Sequence, residues 1–188
     1  MKTPIETEIK LRVQSAAKAR SLLRQHGFPV TTLRVFEQNL VLDNDQGTLR
    51  ENGMLLRVRS AGHVFTCTFK GPVTTTRLKS REEIEFRAGD FESCIALFEA
   101  LGFREAFRYE KYRTEFARDG EPGHVTLDET PIGVFMELEG PARWIARTAK
   151  TFGFPPSVWI TESYSKLYDE WCGANGIEPK DMRFNRGQ

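Results

Sequence analysis

Hydrophobic and polar residues alternate along residues 5–13, whose sequence is IETEIKLRV. An alternation of period two places successive side chains on opposite faces of a β-strand. One face carries aliphatic side chains suited to a core, and the other carries the charged residues Glu6, Glu8, Lys10 and Arg12. The segment therefore predicts a strand whose charged face is either exposed to solvent or lines an interior cavity.

Seven further segments alternate in a similar way and are bounded by turn-forming residues. They predict strands over residues 33–43, 54–60, 63–70, 79–88, 106–118, 123–129 and 133–139. Eight strands with few helices predict an α+β fold, built as an antiparallel sheet or a barrel.

Three helices are predicted between these strands, and each ends in Gly-Phe, at Gly27, Gly102 and Gly153. Glycine suits the left-handed conformation that commonly ends a helix. A last helix is predicted over residues 162–172. We expect one domain over residues 1–175, followed by a loose polar tail over residues 176–188.

The composition limits which partners the chain can have. The 188 residues include 27 Lys and Arg against 26 Asp and Glu, so the formal net charge of +1 is too small to attract nucleic acid or an anionic membrane. The three cysteines lack metal-ligand spacing, which favours a reducing compartment, the cytoplasm. With no apolar run of about 18 residues, neither secretion nor membrane insertion is expected.

Basic side chains dominate the polar faces of the middle strands, whereas acidic pairs occupy the first and last strands. The basic positions are Arg57, Arg59, Lys70, Arg81, Lys111 and Arg113; the acidic ones are Glu6, Glu8, Glu83, Glu85, Asp128, Glu137 and Glu139. Each strand alone fits the solvated face of a one-sided sheet, because charged residues are mostly exposed. Their segregation across strands instead favours a closed barrel with a basic wall and an acidic wall.

Such an interior suits a polyanion and its metal. Arginine donates bidentately to phosphate, and lysine adds a mobile point charge. Paired carboxylates suit Mg²⁺ or Mn²⁺, hard cations that also bind substrate phosphate oxygens. The inferred ligand is a metal-bound oligophosphate, a small-molecule triphosphate, and the protein is expected to be a monomer or a homodimer.

Six short motifs, in order along nearly the whole chain, resemble those of the CYTH family, the triphosphate tunnel metalloenzymes. They are ETEIK, LLRVR, TFKGP, REEIE, KYR and GVFMELEG. The resemblance implies an eight-stranded antiparallel β-barrel, open at both ends and flanked by helices, whose interior binds triphosphate.

The resemblance also implies roles for individual residues. The metal ligands would be Glu6, Glu8, Glu137 and Glu139, with Asp128 either a further ligand or a partner that orients the ligands. The phosphate-binding residues would be Lys10, Arg57, Arg59, Lys70, Lys111 and Arg113, and their strand phase adds Arg12 and Arg81. Glu6, Glu8, Lys10 and Lys70 would be catalytic.

One position departs from the family pattern. Many members carry an aromatic residue where this chain has Leu42, before Asp43, which puts recognition of a base or sugar in doubt. Cys67 is out of phase with Lys70 and is predicted to lie in the core. The three histidines, His26, His63 and His124, are assigned no metal because none has a partner at zinc spacing.

Three functions remain open at this stage. The first is metal-dependent hydrolysis of an inorganic, organic or nucleoside triphosphate, which needs only the residues already named. The second is class IV-type cyclisation of ATP to cyclic AMP and pyrophosphate, which also needs adenosine held in register. The third is a binding module that captures polyphosphate or a nucleotide without turnover, which the retained carboxylates disfavour.

Overall fold

The computed structural model describes residues 5–74 and 78–185. Along this part of the chain the strands are β1 (Ile5–Val13), β2 (Val30–Asp43), β3 (Leu55–Ala61), β4 (Val64–Lys70), β5 (Lys79–Ala88), β6 (Arg104–Ala117), β7 (His124–Thr130) and β8 (Gly133–Glu139). The α-helices are α1 (Ala16–Gln25), α2 (Thr48–Glu51), α3 (Phe91–Ala100), α4 (Ala142–Thr151) and α5 (Tyr164–Asn175), with a 3₁₀ turn at Pro156–Val158.

The strands form a closed antiparallel barrel in the order β1-β5-β4-β3-β2-β6-β7-β8. The predicted α+β barrel with flanking helices is therefore confirmed, and each strand lies within three residues of its predicted bounds. The short helix α2 was not predicted, and α5 ends three residues later than expected.

The three Gly-Phe helix ends behave as predicted. Gly27, Gly102 and Gly153 have φ values of 72°, 89° and 83°, in the left-handed region that residues with a Cβ rarely adopt. The first helix also has a side-chain cap at its start, where Ser15 accepts a hydrogen bond from the backbone of Lys18.

The hydrophobic core lies outside the barrel wall, between the strands and the helices. Ile9 and Leu11 of β1 are fully buried in a cluster that α1 and α4 cover, with Leu23 and Ile145 among its members. On the opposite side α3 covers a second cluster, which contains Cys67 at 2% exposure, as predicted. Because the aliphatic faces point outward to the helices, the charged faces must point into the barrel.

A third cluster closes part of one barrel end. There α5 packs Tyr164 and Leu167 against Phe135 of β8 and Tyr109 of β6. The resemblance implied a barrel open at both ends, and at this end α5 narrows the opening. An ion pair of 3.1 Å between Arg50 Nη2 and Asp169 Oδ2 joins α2 to α5 here.

The segment after α5 is packed against the barrel rather than loose. Met182 is fully buried, and its backbone N–H donates to Arg108 while its carbonyl accepts from Glu110. Strand β6 pairs with β7 only from Tyr112 onward, so these β6 backbone groups would otherwise lack a partner. The predicted tail is therefore attached to β6 at Met182, whereas residues 176–180 are exposed, and residues 186–188 lie outside the described part.

None of the helices in the described part of the chain is both long and apolar enough to cross a membrane.

Two glycines, one closely surrounded and one in open space, test how tightly the chain at Gly123 packs against Trp144 of α4. A Cβ at Gly123 would lie 2.4 Å from the Trp144 ring and 2.6 Å from the Glu139 carbonyl oxygen, whereas one at Gly173 of α5 would meet nothing within 4 Å. We expect Gly123→Ala to cost about 1–3 kcal/mol of stability through overpacking. Gly173→Ala should be neutral or stabilise by up to about 1 kcal/mol. Thermal melts of both variants measure the difference, and similar melting temperatures would contradict the close packing at Gly123.

Candidate active site in the barrel interior

The barrel encloses a cavity of about 1180 Å³. Every predicted site residue borders it except Arg12 and Asp128. The bordering residues are Glu6, Glu8, Lys10, Arg57, Arg59, Lys70, Arg81, Lys111, Arg113, Glu137 and Glu139. The charged face of β1 thus lines an interior cavity rather than facing bulk water.

Arg12 was predicted to bind phosphate, but the structure places its side chain outside the residues that line the cavity. Its side chain is exposed, lies 4.6 Å from the centre of the Phe135 ring and donates to the Ile132 carbonyl oxygen at 3.1 Å. Phe135 is its partner across the β1–β8 ladder and is fully buried beneath α5. An aromatic side chain therefore fills the interior at this level, and the guanidinium lies outside the cavity.

Asp128 is fully buried and holds two of the cations in place. Its carboxylate accepts hydrogen bonds from Lys111 Nζ at 2.8 Å and from Arg113 Nε at 2.7 Å. The hydroxyl of Tyr164 donates to Oδ2 at 2.8 Å. These contacts make Asp128 a partner of the cations Lys111 and Arg113, and its predicted role at a metal stays a prediction.

Glu8 and Glu137 carry ion pairs in the middle of the cavity. Glu8 Oε1 lies 3.1 Å from Lys10 Nζ and 2.8 Å from Lys79 Nζ, and Glu137 Oε1 lies 3.2 Å from Lys10 Nζ. Arg113 also donates to Glu137. Burial opposes ionisation of both carboxyls, but the charge of Lys10 and the other cations holds their pKa values well below the ordinary range. Both groups are therefore ionised at neutral pH.

Glu6 and Glu83 form a pair of acids that shares a proton. Burial and a hydrogen bond to Glu6 raise the pKa of Glu83 to about 7. Burial also opposes ionisation of Glu6, but hydrogen bonds from Glu83 and Lys70 lower its pKa. Lys70 Nζ contacts both carboxylates, the one on Glu83 at 2.8 Å. Below about pH 7, the proton of this pair resides on Glu83, and above it Glu83 is ionised.

Glu139 lies at the acidic end of the cavity. Burial, followed by repulsion from Glu6 and Glu8, raises its pKa to about 8. The Nε2 atom of His124 lies 3.5 Å from the Glu139 carboxyl group, and burial lowers the pKa of His124. Burial and the crowding of acids thus keep a proton on Glu139 at neutral pH, and a cation that bound this carboxyl would replace that proton.

The donor set fits a hard divalent cation. Glu6, Glu8, Glu137 and Glu139 all border the cavity and offer carboxylate oxygens, the ligands that Mg²⁺ and Mn²⁺ prefer. Among the described residues, no group of three or more His, Cys, Asp or Glu side chains is already arranged to bind one metal ion. The ion pairs to lysine and arginine account for this, because they hold the carboxylates toward other partners. These four residues would hold the metal once those pairs rearrange.

The basic wall contains hydrogen-bond donors without acceptors. Arg57 donates through Nη2 to Thr68 Oγ1 at 3.0 Å and through Nη1 to the Tyr109 hydroxyl at 3.4 Å. In residues 5–74 and 78–185, the buried Nε atoms of Arg57 and Arg81 have no hydrogen-bond partner. Buried polar groups are normally satisfied, so these guanidinium groups suit an anionic ligand.

Several residues of the site were not predicted from the sequence. Lys79 borders the cavity and is in phase with Arg81, so alternation alone could have identified it, whereas Glu37 contacts two cations of the wall. Burial and repulsion from Lys10 lower the pKa of Lys79 to about 8.

Glu37 is almost fully buried and binds two cations of the wall. Its Oε2 lies 3.5 Å from Arg59 Nε and 3.5 Å from Lys111 Nζ. Burial opposes its ionisation, but Lys111 and Arg59 lower its pKa to about 2. Tyr164, in contrast, had no sequence signal, because only the packing of α5 brings it to the cavity.

This arrangement can be compared with known proteins. A sequence model of the CYTH domain matches residues 4–147. The chain belongs to the CYTH family. Its motifs, its barrel and the inward direction of its charged residues are all consistent with that assignment.

A relative of this CYTH protein comes from Methanocaldococcus jannaschii and is named a candidate adenylate cyclase. It is 30% identical over 135 residues, which cover 72% of this chain and 76% of the relative. Two solved structures share the fold. One is a candidate adenylate cyclase from Vibrio parahaemolyticus, with a TM-score of 0.78, 20% identity and coverage of 89% of this chain and 99% of that one.

The other is a candidate adenylyl cyclase from Hippeastrum, described as having a dominant triphosphatase activity. Its TM-score is 0.58, its identity 17%, and the match covers 93% of this chain and 97% of that one. At such identities the two structures support the fold alone.

The raised pKa of Glu139 predicts how the stability of this CYTH protein depends on pH. Folded Glu139 keeps its proton up to about pH 8, whereas its ordinary pKa is 4.5. Between these values the folded state binds more protons than the unfolded state, so stability falls as pH rises. Glu83 acts in the same direction up to about pH 7.

Melting temperatures measured from pH 5 to pH 8 without added metal test this expectation. The decline should be smaller in Glu139→Gln than in the wild-type protein. Glu170→Gln, which changes an exposed acid on α5, should keep the wild-type slope. Equal slopes for all three proteins would contradict the shifted pKa of Glu139.

Proposed function

We propose that this CYTH protein is a divalent-metal-dependent triphosphatase that binds its substrate inside the barrel. The observation that carries the proposal is one cavity bordered both by the cations of the basic wall and by the four acids Glu6, Glu8, Glu137 and Glu139. The guanidinium donors of Arg57 and Arg81 that lack acceptors support it further. A triphosphate offers several oxygens in a row and its own metal-binding groups, so it matches both features.

The basic wall would bind the phosphate chain and withdraw charge from the phosphoryl group that is transferred. Lys111 and Arg113 are held by Asp128, whereas Arg57 and Arg59 stand on β3. Such preorganised cations stabilise the charge of the transition state without reorganising during the reaction. Asp128 is therefore a positioning residue, and the cations that it holds are the ones that contact substrate.

The acidic end would hold the metal through Glu6, Glu8, Glu137 and Glu139. When bound, a divalent cation supplies neutralisation of phosphate charge and a fixed orientation for the substrate. Above its pKa of about 7, Glu83 is ionised and suited to accept the proton of the attacking water. The oxygen of that water bonds to the terminal phosphorus, the bridging P–O bond breaks, and diphosphate and orthophosphate leave.

ATP cyclisation is the alternative, and the names of the Methanocaldococcus and Vibrio proteins favour it. It requires attack of a ribose hydroxyl on the α-phosphorus, and therefore a site for the nucleoside beside the phosphates. The cavity continues past the cations to Phe107 and Met54, which supply apolar surface. Leu42, the departure from the family pattern, packs against Leu56 in the cluster beneath α3.

Product analysis decides between these functions. Purified protein is incubated with Mg²⁺ or Mn²⁺ and tripolyphosphate, ATP or thiamine triphosphate, and the products are separated chromatographically. We expect orthophosphate and diphosphate from tripolyphosphate. Cyclic AMP and pyrophosphate from ATP would support cyclisation, and binding without any product would support a binding module.

Glu139→Gln is the matched variant for the metal site. The amide removes a ligand but little volume, and among the described residues the charged contact that Glu139 would lose is the 3.5 Å one to His124. We expect metal affinity and turnover at low metal to fall by at least about tenfold. Mutation of a residue that supports a metal ligand typically lowers affinity by this much, and loss of the ligand itself should lower it no less. Glu170→Gln serves as the control. Full activity of Glu139→Gln without added metal would contradict a metal site at this end of the cavity.

Binding of the proposed substrate should stabilise the fold. A ligand that binds only the folded state adds about 2.7 kcal/mol at a hundredfold excess over its dissociation constant, which raises the melting temperature of a protein this size by several degrees. Tripolyphosphate should produce this shift, and sulfate at equal ionic strength should produce far less. General screening depends on ionic strength alone and would treat both salts alike.

Two arginine variants test where the stabilising anion binds. Arg59→Met removes a cation of the wall, so the tripolyphosphate shift should shrink. Arg143→Met, which changes an exposed arginine on α4, should leave the shift unchanged. Equal shifts from the two salts, or equal shifts in the two variants, would contradict an oligophosphate site in the barrel.

A further inference from the structure

Lys79 is a buried cation of the cavity to which the sequence motifs give no role. It is the first residue of β5, lies directly across the ladder from Glu8 of β1 and is 5% exposed. Its Nζ lies 2.8 Å from Glu8 Oε1, and its side chain borders the cavity. The family motif on this strand begins two residues later, at Arg81.

Lys79 differs from the other interior lysines in how it is paired. Each of those has two acidic partners: Lys10 has Glu8 and Glu137, Lys70 has Glu6 and Glu83, and Lys111 has Glu37 and Asp128. Within residues 5–74 and 78–185, Glu8 is the only acid in ion-pair contact with Lys79. The other charges that act on it include Lys10 and Arg81, which repel it.

A divalent cation that binds Glu8 through Oε1 must compete with Lys10 and Lys79, because both ammonium groups contact that oxygen. Lys10 would keep Glu137 as a partner, whereas Lys79 would lose its only acid. An ammonium left buried without a counter-charge is strongly unfavourable. The nearest new counter-charge is the phosphate chain proposed to occupy the same cavity.

We infer that Lys79 is an additional phosphate-binding residue that exchanges Glu8 for a substrate phosphate oxygen when a divalent cation binds Glu8. The inference rests on the proposed function, because it requires both a metal and a triphosphate in the barrel. Lys79 then couples the two ligands: it weakens metal binding alone and strengthens triphosphate binding in the presence of metal. Such coupling is reciprocal between the two binding equilibria.

Lys79→Met tests this by changing two affinities in opposite directions. Methionine is unbranched and apolar, and Glu8 keeps Lys10 as its partner, so no carboxylate is left unpaired. Calorimetric titration with Mn²⁺ alone should show affinity raised at least about threefold, because a competing charge is gone. Titration with a non-hydrolysable imido analogue of tripolyphosphate at saturating Mn²⁺ should show affinity lowered at least about tenfold, because a charge-assisted hydrogen bond is lost.

Lys166→Met is the matched control. Lys166 is exposed, borders the same cavity at the α5 end and takes part in none of the ion pairs found in the described residues. The same loss of one charge there should leave Mn²⁺ affinity within about twofold of wild type, because distant exposed charges are screened. Lys79→Gln, which keeps a hydrogen-bond donor without the charge, is the second variant if methionine disturbs folding in a thermal melt.

The possible outcomes distinguish a failure of the inference about Lys79 from a failure of the proposed triphosphatase function. Unchanged affinities, or a decrease in both, would show that Lys79 has only a structural role and would overturn the inference. A Lys166→Met effect as large as that of Lys79→Met would overturn it too. If the wild-type protein binds both ligands with the expected coupling but yields no product, hydrolysis is wrong and the role of Lys79 stands. If the wild-type protein binds neither ligand, both proposals fail.

Discussion

Charged side chains can fill the interior of this barrel only because acids and bases neutralise one another there. An isolated ionised group would be very unfavourable at such burial, and most of these groups carry at least one partner of opposite sign. Asp128 shows the principle most completely, since it is fully buried and contacts a lysine, an arginine and a tyrosine hydroxyl. The result is a polar interior that is stable yet retains groups able to change partners.

This interior depends on where the hydrophobic core lies. Each strand turns its aliphatic face outward, where α1, α3 and α4 cover it, so the barrel does not need an apolar filling to be stable. The aromatic cluster beneath α5 is the exception, because it extends inward at one end and excludes Arg12 from the cavity. Stability and ligand binding are thus assigned to opposite faces of the same strands.

The charge balance is uneven along the cavity, and this unevenness is what points to function. Lys111 and Arg113 have fixed carboxylate partners, so they are rigidly placed. Glu139 and Lys79 are the less satisfied members, since burial and like charges oppose ionisation of both. Groups in such surroundings gain most from a new ligand, which is why a cation and a polyanion are expected in the same chamber.

The sequence by itself determined the eight strands, the helix ends at glycine and the face of each strand on which a residue lies. A period of two carries that information locally, so Lys70 and Cys67 could be placed on opposite faces without a structure. The inward direction of the charged face followed from the segregation of charges and from the family resemblance, because alternation alone does not distinguish a cavity from solvent.

Only the tertiary structure decided what stands opposite each residue. Arg12 has the right phase but meets Phe135, Asp128 is enclosed by two cations and Tyr164, and Met182 fills a gap in the β6 edge. These contacts join residues up to about 120 positions apart, and no local pattern records them.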